Sequence, residues 1–117
     1  MEDPKALALF QEVYAGTKAG RVPWEPTADE EEYVVSIGGR FTLLLRGYSY
    51  MDFRGNKEGS PSLIMKDENY REILTVTSQV DGVSGVELAD LFERAKRSAL
   101  KADEKVDELI DALRKIG

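Results

Sequence analysis

The side-chain chemistry open to this chain is narrow, because its 117 residues include no histidine and no cysteine. Histidine is the commonest general base, and both residue types are preferred ligands of transition metals. Catalysis would have to use hydroxyls, lysines and carboxylates instead. Ser98 and Lys101 have the Ser-x-x-Lys spacing of one class of serine enzyme, but they stand in a predicted helix without partner motifs. We expect them on a solvated helix face, and the sequence predicts that the protein is not an enzyme.

Oxygen ligands for a hard cation occur together at Asp52, Asn56 and Glu58. Calcium and magnesium prefer such oxygens, but the spacing is not that of an EF-hand loop. Arg54 and Lys57 also stand among the three candidates, and their positive charges oppose a cation. We therefore expect an ordinary exposed loop here, and the sequence predicts neither a metal nor a cofactor.

The charge and composition of the chain limit the classes of partner that it can bind. A net charge of −6 repels a phosphate backbone, so no nucleic-acid partner is predicted. No apolar run approaches the length of a membrane span, and the acidic residues 1–4 lack the basic start of a signal peptide. We expect a cytoplasmic protein without a membrane partner. Hydrophobic residues make up 42% and charged residues 32%, which at this length is typical of one globular domain over residues 1–117.

The first predicted element is a helix. Asp3 is a suitable N-cap and Pro4 suits the first helical position, while Gly16 or Gly20 would end the helix. The next segment is held extended by prolines around Trp24, the only tryptophan. We expect Trp24 to fill the edge of the core.

Two β-hairpins are predicted in the middle of the chain. In the first, alternating apolar residues at 33–37 and 41–45 flank Gly38 and Gly39, which form a two-residue turn that tolerates positive φ. In the second, residues 62–66 pair with residues 72–77. With a helix at each end, this order predicts an α+β fold whose four-stranded antiparallel sheet carries the helices on one face.

The last thirty residues predict a long helix, which a capping box at Ser84 and Glu87 begins. Its apolar residues recur at steps of four and three, as in a heptad stripe: Leu88, Phe92, Ala95, Ala99, Ala102, Val106, Leu109, Leu113 and Ile116. We expect the first half of this helix to pack on the sheet.

The whole helix would be about 48 Å long, whereas a four-stranded sheet is only about 15–19 Å across. Three outcomes remain open for its second half. The helix breaks near residues 101–103, with Asp103 capping a second segment; it packs on the N-terminal helix at Leu9 and Val13; or it packs on another chain.

Two surfaces are predicted to bind a partner. The glycine-rich segment between the hairpins contains aromatic, methionine and arginine side chains of the kinds enriched at interfaces; alternatively, Tyr48, Met51 and Phe53 fold back onto the core. The second surface is the end of the final helix. The predicted partner-binding residues are Tyr48, Tyr50, Met51, Phe53, Arg54, Val106, Leu109, Ile110, Leu113 and Ile116.

Five carboxylates on the outer face of the final helix offer another interpretation. They could address a basic partner or imitate the charge of a nucleic acid, although a charged helix face is usually just solvated. The residues are Asp103, Glu104, Asp107, Glu108 and Asp111.

The run Thr17-Lys18-Ala19-Gly20, then Trp24, four strands and a helix with Arg94-Ala95 resembles small uncharacterised bacterial proteins, some associated with phages or mobile elements. This resemblance covers most of the chain and implies no known activity or site. Small size, acidity and an amphipathic last helix are also similar to the dimeric chaperones of type III secretion. Those chaperones place a helix between strands, whereas residues 49–61 are glycine-rich here, so the likeness is an analogy only.

The sequence therefore predicts a non-enzymatic protein-binding module, in the form of a regulatory, immunity-type or chaperone-like adaptor. Its partner would be another protein or a second copy of the chain in a homodimer. An acidic inhibitor or nucleic-acid mimic is the alternative. An enzyme that uses carboxylate, lysine or tyrosine chemistry comes third.

Overall fold

The computed structural model describes residues 3–29, 31–47 and 61–116, together with the backbone at 50–51 and 57–58. The elements within these residues follow in the order α1 (Pro4–Lys18), β1 (Glu25–Pro26), β2 (Glu32–Ile37), β3 (Phe41–Arg46), β4 (Tyr50–Met51), β5 (Lys57–Glu58), β6 (Ser62–Lys66), β7 (Glu72–Val76), α2 (Gly85–Ala99) and α3 (Ala102–Ile116). The predicted α+β class is confirmed.

The main sheet is antiparallel, with the strand order β1-β2-β3-β6-β7. The prediction of four strands was therefore wrong, because a fifth strand, β1, lies at the edge. Glu25 pairs with Val34 and Pro26 with Tyr33. A two-residue strand shows no alternation of apolar and polar side chains. Proline lacks an N–H for the ladder, which confines it to such an edge.

The short pair β4–β5 has the same register as the pair β3–β6. Arg46 faces Ser62 in the main sheet, and Tyr50, four residues further on, faces Glu58, four residues earlier. The two pairs thus share one register, and β4 and β5 form a separate two-stranded sheet.

The two predicted hairpins are present, with one change at the first turn. Ile37 pairs with Phe41, so the loop has three residues rather than two. Gly38 and Gly39 both have positive φ, at 64° and 70°, and the Arg40 N–H donates to the Ile37 carbonyl oxygen at 3.3 Å. Consecutive residues in the left-handed region explain why glycine is needed at both positions.

The core lies between one face of the sheet and the two helices α1 and α2. Tyr33, Leu45, Leu63 and Val76 form one continuous row across four paired strands, and all are at most 3% exposed. The Phe92 ring of α2 packs on Tyr33, with ring centroids 5.4 Å apart. Helix α2 therefore packs on the sheet, as predicted for the first half of the final helix.

Local signals at the helix ends agree with the sequence. The Asp3 carboxylate accepts a hydrogen bond from the Ala6 N–H at 3.0 Å, and α1 ends before Gly20, whose φ is 74°. The Ser84 hydroxyl caps α2 by accepting from the Glu87 N–H at 3.1 Å. Such caps satisfy N–H groups that have no partner inside the helix.

Trp24 joins the edge of the sheet to α1. Its ring is 3% exposed and belongs to the core, as predicted, and its Nε1–H donates to the Thr17 Oγ1 at 3.0 Å. Thr17 is itself buried near the end of α1. This hydrogen bond satisfies the indole donor, which would otherwise be desolvated without a partner.

Helices α1 and α2 are also joined by a hydrogen-bonded cluster of Tyr14, Asp90 and Arg94, which we call the polar clasp. The Tyr14 hydroxyl donates to Asp90 Oδ2 at 2.5 Å, and Arg94 Nε donates to the same oxygen at 2.8 Å. The Tyr14 hydrogen bond, followed by that of Arg94, lowers the pKa of Asp90, whereas the bond to Asp90 raises the pKa of Tyr14. The clasp therefore needs an ionised Asp90 and a protonated Tyr14.

Thr17→Val should lower the free energy of unfolding by about 1–3 kcal/mol, because it leaves the buried indole N–H without an acceptor. Thr17→Ser keeps the hydroxyl and should lose only about 0.8 kcal/mol for the missing methyl group. Chemical denaturation, followed by Trp24 fluorescence, measures the free energy of unfolding of both variants. A valine variant that is more stable than the serine variant would contradict this role of Thr17.

Tyr14→Phe should lower the free energy of unfolding by about 1 kcal/mol at pH 7, since it removes one partly exposed hydrogen bond to a carboxylate. The folded-state pKa of Asp90 lies below its ordinary value of 3.8, so the stabilisation is present above that value and is lost as the pH falls through the folded-state pKa. Denaturation at pH 7 and at acid pH measures the free energy of unfolding of the wild type and of Tyr14→Phe. We expect the two values to converge in acid. A difference that persists unchanged in acid would contradict the clasp.

Candidate interaction surface on the C-terminal helix

The direction of α3 is set at a sharp corner after α2. Leu100 is the C-cap of α2 and still has helical dihedrals, but Lys101 has a φ of 53° and α3 begins at the next residue. The Lys101 N–H donates to Ser98 O and its carbonyl accepts from the Lys105 N–H, so the corner is hydrogen-bonded on both sides. One residue in the left-handed region is enough to end a helix.

The prediction of one long C-terminal helix was therefore wrong in its continuous form, and a break near residues 101–103, one of the three open outcomes, is observed. Asp103 lies inside α3 and does not cap it. Its carboxylate accepts a hydrogen bond from Arg97 Nη2 at 2.9 Å, across the corner. This ion pair is largely exposed and contributes little stability, but it links the start of α3 to α2.

Helix α3 has no buried residue. Among the described elements, only α2 has more than marginal contact with it. The expectation of a final helix packed on the sheet thus holds for α2 alone. The apolar side chains of α3, which we call the α3 stripe, are Val106 (51% exposed), Leu109 (59%), Ile110 (40%), Leu113 (58%) and Ile116 (83%).

The exposure of the α3 stripe is unusual for a helix of this length. An isolated helix of fifteen residues is marginal in water, and most helices in proteins gain their stability by packing an apolar face. A contiguous exposed apolar patch rimmed by charges marks an interaction site more often than an ordinary surface. The α3 stripe is thus an exposed apolar surface of the kind that binds other apolar surfaces.

The other predicted partner-binding residues are placed only in part. Tyr50 and Met51 form β4 and pair through the backbone with Glu58 and Lys57. Tyr48, Phe53 and Arg54 lie outside the described residues, as do Asp52 and Asn56, two of the three oxygen ligands considered for a cation. The structure therefore gives a geometry only to the α3 half of the predicted surface.

An apolar groove that the sequence did not predict lies between α1 and the sheet. It has a volume of about 290 Å³, is almost entirely apolar, and has Glu12 as its charged member. Leu9 and Val13 line it, so α3 does not cover the two residues that were one of its predicted partners. Ile37 also lines the groove and is 41% exposed. The groove depends on how α1 sits on the sheet, for which the local sequence carries no signal.

Ser98 and Lys101 line a cleft of about 340 Å³ at the corner between α2 and α3. The cleft also holds Arg94 and Arg97, which are paired with Asp90 and Asp103. In the portion of the chain that is described, no three acidic residues lie close enough together to hold a metal ion. Over the same residues, no helix combines the length and apolar character that crossing a membrane requires.

Leu109→Asp with Leu113→Asp should change the free energy of unfolding by less than about 0.5 kcal/mol, because both side chains are exposed. Leu91→Ala, in contrast, should cost about 2–5 kcal/mol, since Leu91 is fully buried in α2. Denaturation at low protein concentration measures the free energy of unfolding of each of these two variants. A loss above about 1 kcal/mol for the α3 variant would mean that the α3 stripe packs on the body of the protein.

Comparison of the chain with protein-family models, curated proteins and solved structures finds no match in any of the three.

Proposed function

We propose that this protein is a non-enzymatic protein-binding module whose binding surface is the α3 stripe. The observation that carries the proposal is that α3 is an amphipathic helix without a buried residue. An amphipathic helix that lays its apolar face into a groove or onto another helix is a recurring mode of protein recognition, with anchors three, four and seven residues apart. Val106, Leu109, Ile110 and Leu113 have that spacing.

The body of the protein does not need α3 for its core. The buried side chains of α1, α2 and the sheet form one cluster that ends at Ala99. The five apolar residues of the α3 stripe therefore contribute little to folding. In the proposed function, they contribute to the binding of a partner instead.

The corner supports this role by holding the helix away from the sheet. The left-handed Lys101 turns the chain, and the Arg97–Asp103 ion pair links the two helices next to that turn. A binding helix whose start is fixed loses less conformational freedom when it meets a partner than a flexible tail does. A regulatory, immunity-type or chaperone-like adaptor, working in the cytoplasm, is the form that we propose for the module.

The test is affinity capture from a lysate of the host cell, followed by quantitative mass spectrometry. We expect partners of the wild-type protein to be lost with Leu109→Asp/Leu113→Asp, because carboxylates in the α3 stripe oppose its burial. Glu104→Ala/Glu108→Ala, which changes the outer face of the same helix, is the matched control and should retain them.

Capture that is unaffected by the leucine substitutions would overturn the proposal. Capture that is lost with the glutamate substitutions and weakens steeply with salt would favour the acidic-inhibitor alternative, since exposed charges then carry the contact.

A further inference from the structure

We propose that the apolar groove between α1 and the sheet binds a small organic cation, namely a primary amine with an apolar body of about ten non-hydrogen atoms. The groove shares no residue with the α3 stripe, so this site does not depend on the proposed function. Its lining supplies both parts of the required chemistry, because every lining residue except the acidic Glu12 is apolar.

The groove lies where the core opens at one end of the sheet. Ile37 has the same face of the sheet as Tyr33 of the buried row, because side chains four residues apart in a strand share a face. Tyr33 is 3% exposed, whereas Ile37 is 41% exposed. Phe41, which pairs with Ile37 beside the β2–β3 turn, also lines the groove. The core face of the sheet is therefore closed in the middle and open at this hairpin.

The groove suits the apolar part of a small ligand. Val13 and Leu43 are its least exposed members, at 6% each, and both belong to the core cluster, so its inner part is already fixed by the fold. Its volume of about 290 Å³ lies at the lower limit of small-molecule sites. A protein partner needs a much larger contact than this groove offers. The size therefore favours a small ligand.

Glu12 gives the groove its preference for a positive charge. It follows Leu9 by three residues and so lies on the same face of α1. Within the residues that the structure describes, the Glu12 carboxylate has no ion pair. On the sheet side, the Arg40 guanidinium lies 5.0 Å from the centroid of the Phe41 ring, but it is paired with Glu68 at 3.4 Å. The uncompensated charge at the groove is thus negative and attracts a cation.

A primary amine, which is protonated at neutral pH, matches this arrangement. Its ammonium group donates hydrogen bonds to the Glu12 carboxylate, while its apolar body replaces water in the groove. Because Glu12 is exposed, its charge should favour an ammonium over a neutral group by only about three- to fivefold. The apolar contacts supply most of the affinity.

The test compares octylammonium with octanol and octanoate, which have the same chain length and differ in charge. Each probe is titrated into isotope-labelled protein, and binding is followed by the amide chemical shifts. We expect saturable shifts at Val13, Val22 and Ile37 with octylammonium, and a dissociation constant of roughly 0.1–1 mM. Octanol should bind about three- to fivefold more weakly, and octanoate more weakly still, because Glu12 repels its carboxylate.

Two substitutions of Glu12 test the charge. Glu12→Gln should weaken octylammonium binding about three- to fivefold and leave octanol binding within about twofold of wild type. Glu12→Lys should reverse the preference, so that octanoate binds more tightly than octylammonium. Glu93→Gln is the matched control, since Glu93 is an exposed residue of α2 outside the groove, and it should change neither affinity.

Ile37→Lys tests the apolar wall. Ile37 is partly exposed, so the variant should fold, and the introduced ammonium group should weaken octylammonium binding about tenfold by repulsion and by loss of apolar contact. Ile73→Lys makes the same change at a half-exposed position of β7 outside the groove and should leave binding unchanged. Unchanged amide shifts away from the substituted residue show that each variant keeps the fold.

Three outcomes would overturn the proposal. The first is the absence of saturable shifts in the groove at about 10 mM octylammonium. The second is equal binding of the three probes together with no effect of Glu12→Gln, which would remove the preference for a cation. The third is a set of shifts confined to α3. Partner capture through Leu109 and Leu113 is measured separately, so the proposed function stands or fails independently of this site.

Discussion

The size of the sheet is the constraint on which the rest of this structure depends. Neighbouring strands are about 4.8 Å apart, and the six-residue strands β2 and β3 are about 20 Å long, so the sheet measures roughly 20 Å in both directions. A helix of fifteen residues is about 22 Å long, which matches the length of sheet available to cover it. Helix α2 has that length, and Leu88, Leu91 and Ala95 are completely buried in it. The chain that follows Ala99 has no more sheet to pack on.

Two polar contacts fix α1 and α2 on the sheet. The Trp24 indole joins the β1 edge to Thr17 at the end of α1, and the Tyr14–Asp90 hydrogen bond joins α1 to α2. Trp24 also lies beside Ser98 and Lys101, where α2 ends. The place at which α3 leaves the body is therefore next to the aromatic anchor of the core.

Much of the fold could be predicted because its signals are local. A cap such as Asp3, a glycine pair such as Gly38-Gly39 and an alternating strand act through neighbours in the chain, so the residues themselves report them. The β1 strand lacked such a signal, since Glu25 and Pro26 pair with residues of β2 that are several positions away in the sequence, next to the buried Trp24. The turn at Lys101 was also hidden in detail, because lysine has no preference for the left-handed region that ends α2.

The apolar face of α3 could be predicted for the same reason, because its periodicity lies within residues 106–116. The length of the predicted helix and the short sheet together left three outcomes open for this face. Whether it packs on Leu9 and Val13 could not be predicted, because that depends on the angle at which α3 leaves α2. The groove beside those two residues likewise arises from the packing of α1 on the sheet, which involves residues far apart in sequence.

The corner at Lys101 has a consequence for how this protein can change over generations. Each residue added or removed in a helix turns everything after it by about 100°. One insertion near Lys101 would thus present a different side of α3 to its surroundings, while the core cluster, which ends at Ala99, stayed as it is. Substitutions within α3 are equally separate from the core, because no residue of that helix is buried. The exposed surface of α3 and the stability of the fold are therefore encoded in adjoining but largely independent stretches of the chain, so substitutions can change one and leave the other intact.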